Sequence, residues 1–250
     1  MIHILANIFN KRYILVILKK ILKKTEKDTS VKAKKWAQSK VEFTTEEFCQ
    51  SIDKKLFEEI KDDILKIKKI ADSKLSSAKH KLGGGGNYFL LYFLVRKFYP
   101  KIVVETGVAS GWSSLSILKA FQKNKEGKLY SSDFPYFKIK DSEKLIGILA
   151  RDEKNFKDWI LDIRGDEVAL KNFTQSLDDF SVDLFHYDSD KTYSGRSKAL
   201  EIMKKKFSKK AIIIFDDIQD NLHFCDFVSG KNVKFNVLEF EGKYVGIIGL

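Results

Sequence analysis

The sequence predicts an α/β protein with a doubly wound, mostly parallel sheet, and three observations carry that expectation. Short apolar runs alternate with helical patterns over residues 87–250, the chain ends in two apolar runs around Glu241-Gly242-Lys243, and an acidic residue follows each of the first five runs. Alternating strands and helices build a parallel sheet covered on both faces. A glycine-containing turn between two runs builds an antiparallel hairpin. Five parallel strands plus the hairpin give seven strands, preceded by N-terminal helices.

Taken in order, residues 1–24 show apolar side chains at Ile4, Leu5, Ile8 and Phe9, then at Ile14, Leu15, Ile17, Leu18, Ile21 and Leu22. The longest unbroken apolar stretch, Tyr13–Leu18, falls far short of the roughly 20 residues that span a membrane. Charge follows the first apolar stretch instead of preceding it, which argues against a signal peptide. Two readings stay open: a basic amphipathic helix on an anionic membrane surface, or a helix docked on its own domain or on a second copy with its lysines solvated. Residues 41–80 read as helix, starting at Thr44–Glu47, with Phe48, Ile52, Leu56, Ile60, Ile64 and Ile67 on one face. Gly83–Gly86 separates this cap, residues 1–82, from a main domain at 87–250, as a linker or as a mobile gate over a cleft. Strands are expected at Ile102–Val104, Leu129–Tyr130, Trp159–Ile163, Val182–Tyr187 and Ala211–Phe215, with the hairpin at Val233–Phe240 and Tyr244–Leu250. Helices are expected at Ser113–Phe121, Ser142–Ala150 and Ser194–Phe207.

Composition narrows the function classes. With 44% hydrophobic and 32% charged residues and only 2 Pro in 250, fibrous and low-complexity classes are excluded. Cys49 and Cys225 lack C-x-x-C spacing, so neither a disulfide framework nor a zinc ribbon is supported, and a reducing, cytoplasmic setting is expected. The formal charge of +12 sits mainly in residues 1–40, which carry a net +9. The remainder is nearly balanced, so no specific nucleic-acid partner is expected.

Ligands of an open α/β sheet bind beyond the carboxyl ends of its strands. Those ends carry Glu105, Asp133, Asp166, Asp188 and the pair Asp216-Asp217, an acidic rim suited to hydroxyl-rich ribose, a cationic ligand or a metal ion. The first loop, Glu105-Thr106-Gly107-Val108-Ala109-Ser110-Gly111, lacks the P-loop lysine, and Ala109 replaces the second glycine of the dinucleotide fingerprint. It offers instead E-x-G-x-x-x-G before a helix start at Ser113 or Ser114. Asp133, near the end of the strand expected next after Gly111, lies where an acid commonly binds ribose hydroxyls.

The ordered set VVETGVASGWSS at 103–114, LYSSDFP at 129–135, RGD at 164–166, DLFHYDSDKTYSG at 183–195, IIIFDDI at 212–218 and the terminal hairpin resembles the class I S-adenosylmethionine-dependent methyltransferases, over about residues 87–250. Tyr187–Tyr193 is similar to the I-D-G-D-H-x-Y motif of bacterial small-molecule and sugar O-methyltransferases related to macrocin O-methyltransferase and, more distantly, to catechol O-methyltransferase. The resemblance implies S-adenosylmethionine as cofactor. Glu105, Gly107, Ala109 and Gly111 would line its methionine part, with Ser113 and Asp188 beside them, Asp133 at the ribose, and Gly165 and Asp166 at the adenine. It also implies a divalent ion, Mg2+ or another, held by Asp188, Asp216 and Asp217, hard oxygen ligands able to activate a hydroxyl.

The acceptor implied is a small-molecule or glycan hydroxyl, and Lys191, where macrocin-like enzymes carry His, is the candidate base, with Asp190 competing. His186 reads as a core histidine, Tyr193 as a closing or packing residue, and His223 and Asp220 as loop residues near the cleft. Competing readings are a nucleic-acid methyltransferase using the basic arm, which lacks an N-P-P-Y-type tetrapeptide after the fourth strand, and a cofactor-binding scaffold without turnover. A homo-oligomer and peripheral membrane contact through residues 1–24 remain open as partners.

Overall fold

The structure, a computed structural model, describes residues 26–136, 139, 141–151 and 158–250. The amphipathic stretch at 1–24 lies outside the described residues. After α1 (Ser30–Lys40) the chain forms a short strand, β1 (Val41–Thr44), and turns into α2 (Thr45–Ser76). The start of α2 follows from a reciprocal cap: the Thr44 side chain accepts from the Glu47 N–H, and Glu47 accepts from the Thr44 N–H at 2.8 Å. The helix breaks at Asp53 (φ −156°, ψ 93°), whose carboxylate accepts from the Leu56 N–H and pairs with Lys97 at 2.8 Å. The continuous helix expected over 41–80 is therefore corrected at both places.

The alternating region runs α3 (Tyr88–Phe98), β2 (Ile102–Thr106), α4 (Trp112–Asn124), β3 (Lys128–Ser132), α5 (Ile148–Arg151), β4 (Trp159–Asp162), α6 (Asp166–Ser176), β5 (Val182–Tyr187), α7 (Tyr193–Met203), β6 (Phe207–Phe215), α8 (His223–Lys231), β7 (Phe235–Phe240) and β8 (Lys243–Ile248). The helix expected at Ser142–Ala150 is instead a 3₁₀ turn at Ser142–Leu145 followed by the single turn of α5, because Ile146 is extended (ψ 120°).

The sheet has eight strands in the order β1-β7-β8-β6-β5-β2-β3-β4, with β8 antiparallel to β6 and β7 and every other pair parallel. The eighth strand beyond the expected seven is β1, paired with Val237–Glu239 at the edge. So short a segment offers too little alternation to announce a strand, and its partner lies near the other end of the chain.

Strand alternation divides the core between the two faces. Val103, Leu184, Ile212 and Ile247 pack under α2, α3 and α4 through Phe57, Ile60, Leu91, Leu94 and Ile117. Val104, Phe185 and Phe215 pack under the helices of the other face through Ala37, Leu170, Leu200 and Phe224. No helix among the described residues is long and apolar enough to cross a membrane.

Candidate functional site

Both faces of the sheet are closed by helices, so its carboxyl rim is the edge open to a ligand. The loop leaving β2 turns at Gly107 (φ 83°), where a Cβ would lie 2.3 Å from the Asp188 carbonyl oxygen. Only glycine satisfies both demands. The next two backbone N–H groups, of Val108 and Ala109, donate to Asp133 Oδ2 at 2.8 and 2.5 Å, and the Phe134 N–H donates to Oδ1. Burial pushes the Asp133 carboxyl up to about 6, against the pull of those N–H groups. The Gly165 N–H donates to the Asp133 carbonyl, and Asp166, first residue of α6, accepts from the Ser132 hydroxyl. Gly111 closes the loop by donating to the Val108 carbonyl at 2.7 Å, and Ser113 is buried in the first turn of α4. Gly107, Ala109, Gly111, Asp133, Gly165 and Asp166 thus share one end of the sheet.

Glu105 sits differently. It is wholly buried beneath the loop, where its Oε2 accepts from Ser114 at 2.6 Å and Ser131 at 2.8 Å. Parallel register sets Ser131, Glu105 and His186 side by side on β3, β2 and β5. His186 Nδ1 lies 3.8 Å from Glu105 Oε1, and its Nε2 lies 3.0 Å from Asp216 Oδ2. Burial opposes the charged imidazole, but the hydrogen bond to Asp216 and the neighbouring Glu105 carboxylate outweigh it and hold the pKa near 10. A charged histidine between two buried carboxylates therefore underlies the rim, where an ordinary core histidine was expected.

On the rim, the Lys191 ammonium bridges Asp188 and Asp217, at 2.7 Å from Asp217 Oδ2. Burial works against this ammonium, yet the two carboxylates keep its pKa above the usual lysine range. As arranged, Lys191 holds its charge between two carboxylates. Asp190, the competing base, accepts from the Thr192 hydroxyl at 2.9 Å in the turn that starts α7. Burial and the neighbouring Asp216 push Asp188 up to about 6. Asp217 stands in the left-handed region (φ 53°), and the carbonyls of Asp216 and Asp217 both accept from the buried Arg196 guanidinium, at 3.0 and 2.8 Å.

Among the described residues, ligating atoms of His186, Asp188 and Asp216 lie within 4.8 Å of one another, a group able to hold a metal ion, while the expected ligand Asp217 pairs with Lys191. A Cβ on Gly86 would meet Asp216 Oδ2 at 2.4 Å and Asp188 Oδ2 at 3.3 Å. The glycine loop therefore lies directly against these two carboxylates. Two hard oxygen donors and one imidazole suit a divalent first-row ion, so the residues present fit such a group once the His186 imidazolium gives up a proton to it.

Residues 104–218 match a family described as a methyltransferase domain. This segment, a little under half of the chain, is similar to methyltransferase domains. Solved structures share its fold at low identity. A Geobacter sulfurreducens methyltransferase is 17% identical (TM-score 0.52), covering 75% of this chain and 89% of its own. A putative caffeoyl-CoA O-methyltransferase from Staphylococcus aureus is 15% identical (TM-score 0.53), with coverage of 75% and 92%. A Bacillus cereus O-methyltransferase, solved with S-adenosylhomocysteine, is 11% identical (TM-score 0.55), with coverage of 75% and 90%. No curated protein sequence matches the chain.

The roles of three residues at this rim escaped the sequence reading. His186 could have been found from strand period, since it shares a face with Asp188 two positions on. Arg196 falls on the inner side of α7 only once that helix is docked. Gly86 gains its role from a fold-back that brings it against Asp188 and Asp216, far along the chain.

Proposed function

We propose that this chain transfers the methyl group of S-adenosylmethionine to a hydroxyl oxygen of a small molecule or glycan. The observation that carries the reading is the contact of Gly107 with the Asp188 backbone, which joins the cofactor loop directly to the Asp188–Lys191–Asp217 cluster. The bound cofactor supplies an electrophilic sulfonium methyl, and in-line positioning supplies much of the acceleration.

Asp133 accepts from the ribose hydroxyls, the backbone at Gly107–Gly111 seats the methionine part, and Gly165 and Asp166 flank the adenine. The Lys191 ammonium donates to the acceptor oxygen, and the hydroxyl proton is taken up at the carboxylates that surround it. Bound by His186, Asp188 and Asp216, a divalent ion would lower the pKa of the acceptor hydroxyl. The relatives solved with cofactor or product bound include a Streptomyces achromogenes O-methyltransferase, TomG, involved in tomaymycin synthesis and solved with S-adenosylmethionine (13% identity, TM-score 0.55, coverage 73% and 88%).

The test is calorimetric titration with S-adenosylhomocysteine, with and without Mg2+ or Mn2+, on the wild type and on Asp133→Ala, followed by methyl transfer from tritiated cofactor to sugars and vicinal diols. Micromolar binding lost in the variant, and label in a hydroxyl acceptor, is expected. Absence of binding to the wild type overturns the reading.

A further inference from the structure

Asp216 and Asp217 are neighbours in the chain but serve different partners. Asp216 Oδ2 lies 3.0 Å from His186 Nε2, on the side where ligating atoms of His186, Asp188 and Asp216 converge. Asp217 Oδ2 lies 2.7 Å from Lys191 Nζ. An extended strand points consecutive side chains to opposite faces, so an extended Asp217 would follow Phe215 into the core face that holds Leu200 of α7 and Phe224 of α8. Instead the chain turns at Asp217 (φ 53°, ψ 42°), and both carboxylates stay on the rim. That conformation is disfavoured for a residue with a Cβ, so the turn needs a tie from outside it.

Arg196 supplies it. One guanidinium nitrogen, Nη2, donates to the Asp216 carbonyl at 3.0 Å and to the Asp217 carbonyl at 2.8 Å. Arg196 is wholly buried, and its Nε and Nη1 find no hydrogen-bond partner among the described residues. Burying a charge with donors unpaired is costly, and an apolar side chain at this place on α7 would avoid that cost. An apolar side chain could not bind two successive carbonyls of another element and leave both carboxylates to the rim. A second tie runs the other way, from the Asn221 side-chain amide, just beyond the turn, to the Lys191 carbonyl at 2.8 Å. The turn after β6 and the loop before α7 are thereby held together from both sides.

We propose that Arg196 is a positioning residue of the rim: by holding the Asp216 and Asp217 carbonyls it fixes the left-handed turn that gives Asp216 to His186 and Asp188 and gives Asp217 to Lys191. The inference rests on reading this rim as the acceptor side of a methyltransferase, yet metal affinity and lysine reactivity report on it without cofactor or methyl transfer, so the two can fail separately.

The test compares the full chain with Arg196→Met, Arg196→Lys, Asp217→Gly and the double variant Arg196→Met/Asp217→Gly, with cooperative thermal unfolding as the control for folding. Mn2+ alone is titrated by electron paramagnetic resonance, and Lys191 is labelled with acetic anhydride and quantified by mass spectrometry. Arg196→Met should weaken Mn2+ binding about 10- to 100-fold, as loss of a group that orients metal ligands does. In the Asp217→Gly background the left-handed turn carries no strain, and the same substitution should change Mn2+ affinity by less than about threefold. Acetylation of Lys191, slow while its ammonium is clamped, should rise severalfold in Arg196→Met. Arg196→Lys keeps the charge but lacks the planar fork, and it carries the same comparisons where Arg196→Met does not fold. Unchanged Mn2+ affinity or unchanged Lys191 labelling in a folded Arg196 variant, or an equal loss of Mn2+ affinity with and without Asp217→Gly, would overturn the proposal. If the wild type takes up no Mn2+, Lys191 labelling alone decides.

Discussion

Asp133 holds its carboxylate against three backbone N–H groups in a half-buried position, and the charge it carries is the one that ribose hydroxyls would use. Its folded pKa of about 6 lies above the ordinary carboxylate value of 3.8, so the folded state binds the proton more tightly. Stability should therefore fall as pH rises from about 4 to about 6 and level off above. Asp188 acts in the same sense, so Asp133→Asn should remove part of that slope in urea titrations. Affinity for S-adenosylhomocysteine should drop below pH 6 as Asp133 protonates. Lys191→Met keeps an unbranched side chain one atom shorter and removes the charge between Asp188 and Asp217. Turnover should fall about 10²- to 10⁴-fold while cofactor affinity changes less than threefold, read by single-turnover kinetics beside calorimetry.

At the scale of elements, strands β2, β5 and β6 are joined at their carboxyl ends by Glu105, His186 and Asp216. His186 titrates near 10 in the fold against an ordinary 6.5. This contribution is complete below pH 6.5 and is lost as pH rises toward 10. His186→Gln leaves two buried carboxylates without their cation and should cost about 3–5 kcal/mol at pH 7. The deficit against wild type should shrink by pH 10, as denaturant midpoints at the two pH values would reveal. The loop before α3 is constrained in the same region. Gly86→Ala puts a Cβ 2.4 Å from Asp216 Oδ2, so loop or carboxylate must move, and Mn2+ affinity measured by electron paramagnetic resonance should weaken while the cofactor still binds. Helical period, capping residues and apolar runs made most elements readable. The exceptions were β1, the break at Asp53 and the turn at Ile146, where a few residues answer to distant partners such as Val237 and Lys97.

For the whole molecule, the N-terminal region is part of the sheet and of both core faces. β1 covers the edge of β7, which would otherwise offer unpaired backbone groups to another chain. Trp36 of α1 stacks on Phe235 at 5.8 Å and meets Phe224 edge-on at 6.0 Å. Trp36→Ala should destabilise the protein by about 3 kcal/mol. Amide exchange at Val237–Glu239 should accelerate, because the pairing of β1 depends on that seat. Of the site, the acids and glycines on the rim were legible because strand ends and turns are local features. Their pairing was not, since which carboxylate meets Lys191 and which meets His186 depends on strand order and register.

The amino-acid sequence by itself determined the parallel sheet with its closing hairpin, the glycine loop at Gly107–Gly111, Asp133 in its setting and the acidic rim, because each rests on periodicity or on spacing within a single strand-helix-strand unit. Only the tertiary structure decided that Glu105 is buried beneath the loop and that His186 bears charge between two acids. It also decided that Lys191 is clamped as an ammonium between Asp188 and Asp217 and that Glu26 meets the first backbone N–H groups of α7. Those outcomes arise from electrostatics between strands that meet only when the sheet is assembled, and charge pairing between such separated segments leaves no periodic trace in the chain.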